Sequence, residues 1–146
     1  MAGSSQLLVA AILSFGAALL HVGVIFGGPD WYRFFGAGEG MARLAESGSR
    51  YPTLVTTGIT LVLMLWGLYA LSGAGVILRL PLLKLGLSLI TAVYLLRGLA
   101  GLVLPFVSTH PAIQQNSVTF WIVSSLICTA FGAVHLLGLM NSWSRL

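Results

Sequence analysis

Arg97 lies in the stretch TAVYLLRGLAGLVLP (Thr91 to Pro105), which is otherwise apolar or small, with seven residues between it and the proline. An arginine at the centre of a membrane-buried helix costs about 2.5–3.5 kcal/mol on insertion scales, so intramembrane charge is normally retained for a reason. Three explanations are open. The long stem could carry the charge up to the headgroups. The guanidinium could pair with a carboxylate, and Asp30, Glu39 and Glu46 are the only acids, all after the first apolar stretch. Or it could hold an anion such as a lipid phosphate or a carboxylate, for which its planar fork is suited.

Depth picks out the residues that could act with it. Along a helix rising ~1.5 Å per residue, Arg97 falls about 6 Å from mid-membrane and His21 about 7 Å, on the same side. Tyr94, Thr56 and Thr57 share that half. His21 could donate to a backbone carbonyl or a neighbouring threonine, or carry a proton and orient a ligand. Glu39 points to water beside Arg43 if its segment lies flat, and reaches Arg97 if the segment tips inward. Its context GAGEG looks like a phosphate-cradling loop, but it has no preceding strand and no Lys-Ser/Thr. His135 falls about 9 Å towards the opposite side and reads as a packing histidine.

That separation in depth keeps the two histidines from sharing a metal or a haem iron, and Cys128 is the only cysteine. No cofactor or metal is expected. HExxH, nucleophile-elbow and Cys-x-x-Cys patterns are absent. No span carries Asp or Glu, which disfavours a proton-coupled cation antiporter of the small multidrug type.

The elements that position these groups follow from composition. Hydrophobic residues make up 58% of the 146 and charged ones 7%, against about 25% charged in a soluble domain. Such a chain cannot cover its core with polar surface; lipid is its solvent. The net charge of +4 then concerns topology and anionic headgroups rather than nucleic acid. Four stretches reach the ~20 apolar residues that cross a bilayer, roughly 7–26, 53–72, 82–104 and 117–140. The first lacks the basic start and cleavage site of a signal peptide and is read as a retained helix.

Gly27–Asp30 ends the first span, Pro81 opens the third and Pro105 closes it, and Asn116 or Ser117 caps the fourth. Between the first two spans, 34–46 fits a short interfacial helix. It would have Phe34, Ala37, Met41 and Leu44 on one side and Glu39, Arg43 and Glu46 on the other.

Each span carries one small or polar stripe: Ala10, Ser14, Ala17, Ala18 and His21; Thr53, Thr56, Thr57, Thr60 and Gly67; Thr91, Tyr94, Gly98 and Gly101, with Arg97 at its edge; and Ser124, Cys128, Gly132 and His135, flanked by Ser125, Thr129 and Ala133. Small residues mark where helices approach in lipid, so these stripes should face inward. The expectation is one all-α membrane domain, an antiparallel four-helix bundle with an interfacial helix in its first loop. It would sit in a bacterial inner membrane with cytoplasmic termini.

The expected function is binding an anionic amphiphile or lipid headgroup in the long-loop half, through Arg97, His21, Tyr94, Glu39, Thr56 and Thr57. The alternatives are a transporter or channel subunit, a scaffold that forms homo-oligomers through its small-residue faces, and a small lipid-modifying enzyme.

Overall fold

A computed structural model describes residues 2–35 and 38–146. Among them the regular elements are all helical: α1 (Ala2–Gly27), α2 (Pro29–Phe34), α3 (Glu39–Glu46), α4 (Tyr51–Gly73), α5 (Leu83–Val107), α6 (Pro111–Gln114), α7 (Val118–Ser142) and a 3-10 turn, Trp143–Arg145. Four of these are long and apolar enough to cross a membrane. The protein is a multi-pass, all-α integral membrane protein whose four long helices form a bundle.

The helices pack as two pairs. α1 lies along α4 and α5 along α7, and α1 against α7 joins them. In lipid such contacts depend on close backbone approach rather than on apolar burial. Gly98 illustrates it: a Cβ there would stand 2.7 Å from the Thr129 backbone nitrogen, so only glycine lets α5 come this close to α7. α4 and α5 touch less extensively. Large aromatics hold them apart, with the Trp66 and Tyr94 ring centroids 4.9 Å apart.

Several sequence expectations need adjustment. α5 starts after Pro81, because Leu82 takes a left-handed conformation (φ 51°). It then runs through Pro105 to Val107, so the proline lies in the last turn of the helix instead of closing it. Ser117 does cap α7, its hydroxyl accepting from the Phe120 N–H at 3.0 Å. The interfacial helix is two helices, broken where Gly38 adopts φ 102°. The break shifts the phase of the second piece, so Ala42 is its buried residue while Phe34 and Leu44 are exposed. Ala37 lies outside the described residues. Thr53, Thr57 and Ala133 also face outward. The buried line of α4 follows Pro52, Thr56, Thr60, Leu63, Gly67 and Ala70, and Thr57 sits a full 100° off it.

Burial is uneven along the bundle. Leu7, Leu83, Leu87, Leu139 and Leu146 form one core cluster at the end bearing the termini. Ala18, Leu63, Ile90 and Tyr94 form another near the middle. Both clusters draw on the two helix pairs. The cluster nearest the long loop, Val24, Tyr32 and Ala42, comes from α1, α2 and α3 alone. On the inward face of α1, Leu7, Ala10, Ala11 and Ser14 are fully buried, whereas His21, Val22 and Ile25 are half-buried. The apolar clusters shared by the two pairs reach from the termini up to Tyr94, and nearer the long loop the inward face of α1 is less fully covered.

Candidate functional site

Arg97 stands on the long-loop side of Tyr94. It shares the inward sector of α5 with Tyr94 and Gly101, both buried, being three and four residues from them. Its stem rises towards the long-loop side. Gly98 packs beside Thr129, yet the Arg97 guanidinium bonds one turn further up α7, its Nη1 donating to Ser125 Oγ and its Nη2 to Ser124 Oγ, each at 3.1 Å. It stacks over the Trp121 ring at 4.8 Å. That ring is itself fixed, because its N–H donates to the Ile113 carbonyl at 2.9 Å. The charge therefore stops about 9 Å, six residues, short of the start of α7.

Among the described residues no carboxylate forms an ion pair with Arg97. All three acids converge on Arg33 instead. Its Nε and Nη2 donate to the two Glu39 oxygens at 2.9 and 3.0 Å, Glu46 lies 2.7 Å away and Asp30 3.5 Å. Glu39 also meets Arg43 at 3.4 Å. The hydrogen bonds from Arg33 hold the Glu39 carboxyl below the usual carboxylate range and raise the Arg33 guanidinium in turn. Glu39 is exposed, so it lies on the rim and away from Arg97. Arg33 and Glu39 line a recess of about 200 Å³ with Gly38, Gln115, Asn116, Ser117 and Phe120. The Asn116 Oδ1 there is buried without a hydrogen-bond partner.

The other expected residues divide. His21 is half-buried and bonds through Nδ1 to the Ala17 carbonyl at 2.7 Å. A carbonyl only accepts, so Nδ1 carries a hydrogen and Nε2 is left without a bond in that contact. Thr56 is committed to structure: its hydroxyl donates to the Pro52 carbonyl at 2.7 Å and receives the Tyr32 hydroxyl at 3.2 Å, tying α2 to α4. Thr57 is exposed. Tyr94 turns away from the guanidinium. Its hydroxyl bonds Ser14 at 2.8 Å and its ring lies 5.0 Å from that of His135.

Sequence reasoning missed Trp121, Ser124 and Ser125 as partners of Arg97. The two serines were visible on neighbouring stripes, but their meeting with Arg97 depends on how α5 registers against α7. No family model, curated protein or solved structure matches this chain.

Proposed function

We propose that the protein binds the anionic head of an amphiphile in the long-loop half of the bundle, with Arg97 as the anion contact. One observation carries this reading. A guanidinium inside the bundle is held by two hydroxyls and an aromatic face, with no carboxylate to neutralise it. The hydroxyls occupy only part of the donor set of arginine, and the rest can grip a phosphate or carboxylate bidentately. The ring of Trp121 and the bonds to Ser124 and Ser125 preset the fork, which lowers the ordering cost of binding. His21 turns its Nε2, the ring nitrogen not used by the Ala17 carbonyl, to a polar group on the same head. Glu39 and Arg33 stand at the rim and screen access from water.

Native mass spectrometry of the wild type, Arg97→Lys and Arg97→Met in anionic and in neutral lipid tests the reading. Retained anionic lipid should fall in the order wild type, Lys, Met, with neutral lipid unchanged. Equal retention in all three would remove the site. The tight hairpin after α4, with Arg79 in it and Lys84 just beyond, supports cytoplasmic termini under the positive-inside rule; reporter fusions at the C-terminus test that orientation.

A further inference from the structure

The anion site has a side door. We propose that its ligand is a membrane-borne amphiphile that enters sideways between α4 and α5, with its head on Arg97 and its apolar chain along Ile59, Val62 and Val93. The inference rests on the anion-binding reading above and adds the ligand's route and the seat of its apolar chain.

The argument starts from which face of each helix looks at the other. On α4, Trp66 points at α5, since its ring meets that of Tyr94 at 4.9 Å. Ile59 and Val62 lie seven and four residues before Trp66, on the same face. They are 42% and 45% exposed, so the surface that α5 covers at Trp66 is uncovered two turns higher. On α5, Ile90 packs in one core cluster with Leu63 of α4. Arg97 lies seven residues beyond Ile90 on the same stripe, and Val93, one turn below Arg97 at its edge, is 47% exposed.

Register brings these together. The antiparallel pairing that sets Leu63 with Ile90 and Tyr69 beside Gly86 carries Thr56–Thr60 level with Arg97. Contacts between α4 and α5 thus run from the hairpin up to the Trp66–Tyr94 pair, and beside that pair Ile59, Val62 and Val93 leave an apolar surface open to the lipid below the level of Arg97.

Charge complementarity selects the occupant. An apolar surface with one guanidinium above it matches a compact anion joined to a hydrocarbon chain. A small hydrophilic anion would gain nothing from Ile59, Val62 and Val93. A partner helix could cover those residues but would need an intramembrane acid for Arg97, which this chain does not supply to itself.

The test is photolabelling of the intact protein in phosphatidylcholine nanodiscs with a palmitate analogue that carries a mid-chain diazirine. Adducts are mapped by peptide mass spectrometry. Labelling should concentrate on Ile59, Val62 and Val93 and fall about tenfold in Arg97→Met, the effect of losing a charge-assisted contact. Labelling of the shallow groove lined by Val9, Val134 and Leu137 should not change, which also reports that the variant is folded. Ile59→Trp leaves Arg97 in place but covers that apolar surface, and should lower the same adducts. Arg97-dependent labelling that appears elsewhere and ignores Ile59→Trp overturns the lateral route while the anion site stands. Labelling of Ile59 and Val62 that is indifferent to Arg97→Met overturns both.

Discussion

Replacing Arg97 with Met separates a stabilising arginine from a binding one. In neutral lipid the substitution removes two hydrogen bonds to serine hydroxyls and one cation–π contact. Interhelical hydrogen bonds within membranes average about 0.6 kcal/mol and reach about 1.7, so the pair contributes about 1–3.5 kcal/mol. The Trp121 contact adds about 0.5–2 kcal/mol. Against this, a charge at the bilayer centre costs about 2.5–3.5 kcal/mol, less at the off-centre depth of Arg97. The terms largely offset, so Arg97→Met should shift unfolding free energy by no more than about 3 kcal/mol in neutral lipid.

Anionic ligand breaks the balance. A ligand present at a hundred times its Kd stabilises the folded state by about 2.7 kcal/mol. That increment should appear in the wild type and vanish in Arg97→Met. Steric-trapping measurements of unfolding in nanodiscs, with and without anionic lipid, give both numbers. Two results would refute the reasoning. A loss above about 6 kcal/mol in neutral lipid would make Arg97 a structural tie between α5 and α7, beyond what its contacts can supply. An equal anionic increment in both proteins would place the anion elsewhere.

Gly98→Val should destabilise the α5–α7 contact by about 1–3 kcal/mol, the usual cost of overpacking, because the added side chain would run into the Thr129 backbone; unfolding midpoints in detergent read this out. His135→Phe should change stability by no more than about 1 kcal/mol, since it keeps the ring stack on Tyr94 and its loss of the Nδ1 bond to the Phe131 carbonyl is offset by removing a buried Nε2 that has no partner; a loss above about 3 kcal/mol would mean that Nε2 is bonded to something functional. Tyr32→Phe should weaken the tie between α2 and Thr56 and raise hydrogen exchange in α2 and α3 more than in α4. The Glu39 carboxyl should titrate below an ordinary glutamate in a ¹³C experiment, and Arg33→Gln should return it. Because its folded value is depressed, the tie to Arg33 is fully present above the ordinary glutamate value and is lost as pH falls through the lower one.

Composition and punctuation were enough to locate the four spans, since a helix that satisfies its own backbone is the simple way for such a chain to cross lipid. The oddness of Arg97 was legible for the same reason. Its partners were not. Periodicity along one helix says which residues share a face, and nothing about which face of another helix meets it. Trp121, Ser124 and Ser125 become partners only through the close approach that Gly98 permits. Tyr94 was expected beside Arg97 on depth, but residue rise measures height alone, and its ring points across the bundle to Ser14 and His135. Glu39 went to Arg33 rather than Arg97 because the chain breaks at Gly38, which redirects α3 in a way that a continuous helical wheel cannot represent.

The asymmetry of the bundle bears on the alternative activities. A transporter or channel needs polar groups that continue past Thr60 towards the opposite surface. Below Tyr94 the inward positions are Leu7, Ala10, Ala11, Leu87 and Leu139, each buried. Of the buried polar groups at that level, Ser14 and Tyr94 bond each other and Thr91 bonds the Leu87 carbonyl of its own helix, while His135 packs on Tyr94 with its Nε2 unpartnered. Opening a path there would break the contacts that hold the two helix pairs together, because those pairs share their core only in this half. For a scaffold that oligomerises through small residues, Gly67, Gly98, Gly132 and Gly138 are already filled by Phe15, Thr129, Leu95 and Leu7 of the same chain, while Gly16 and Gly58 face outward with open space beside them. In the long-loop half Arg97 pairs with no carboxylate among the described residues. A half whose shared core fixes the helices, joined to a half that carries this charge, is an arrangement consistent with the proposed site for a membrane-borne anion.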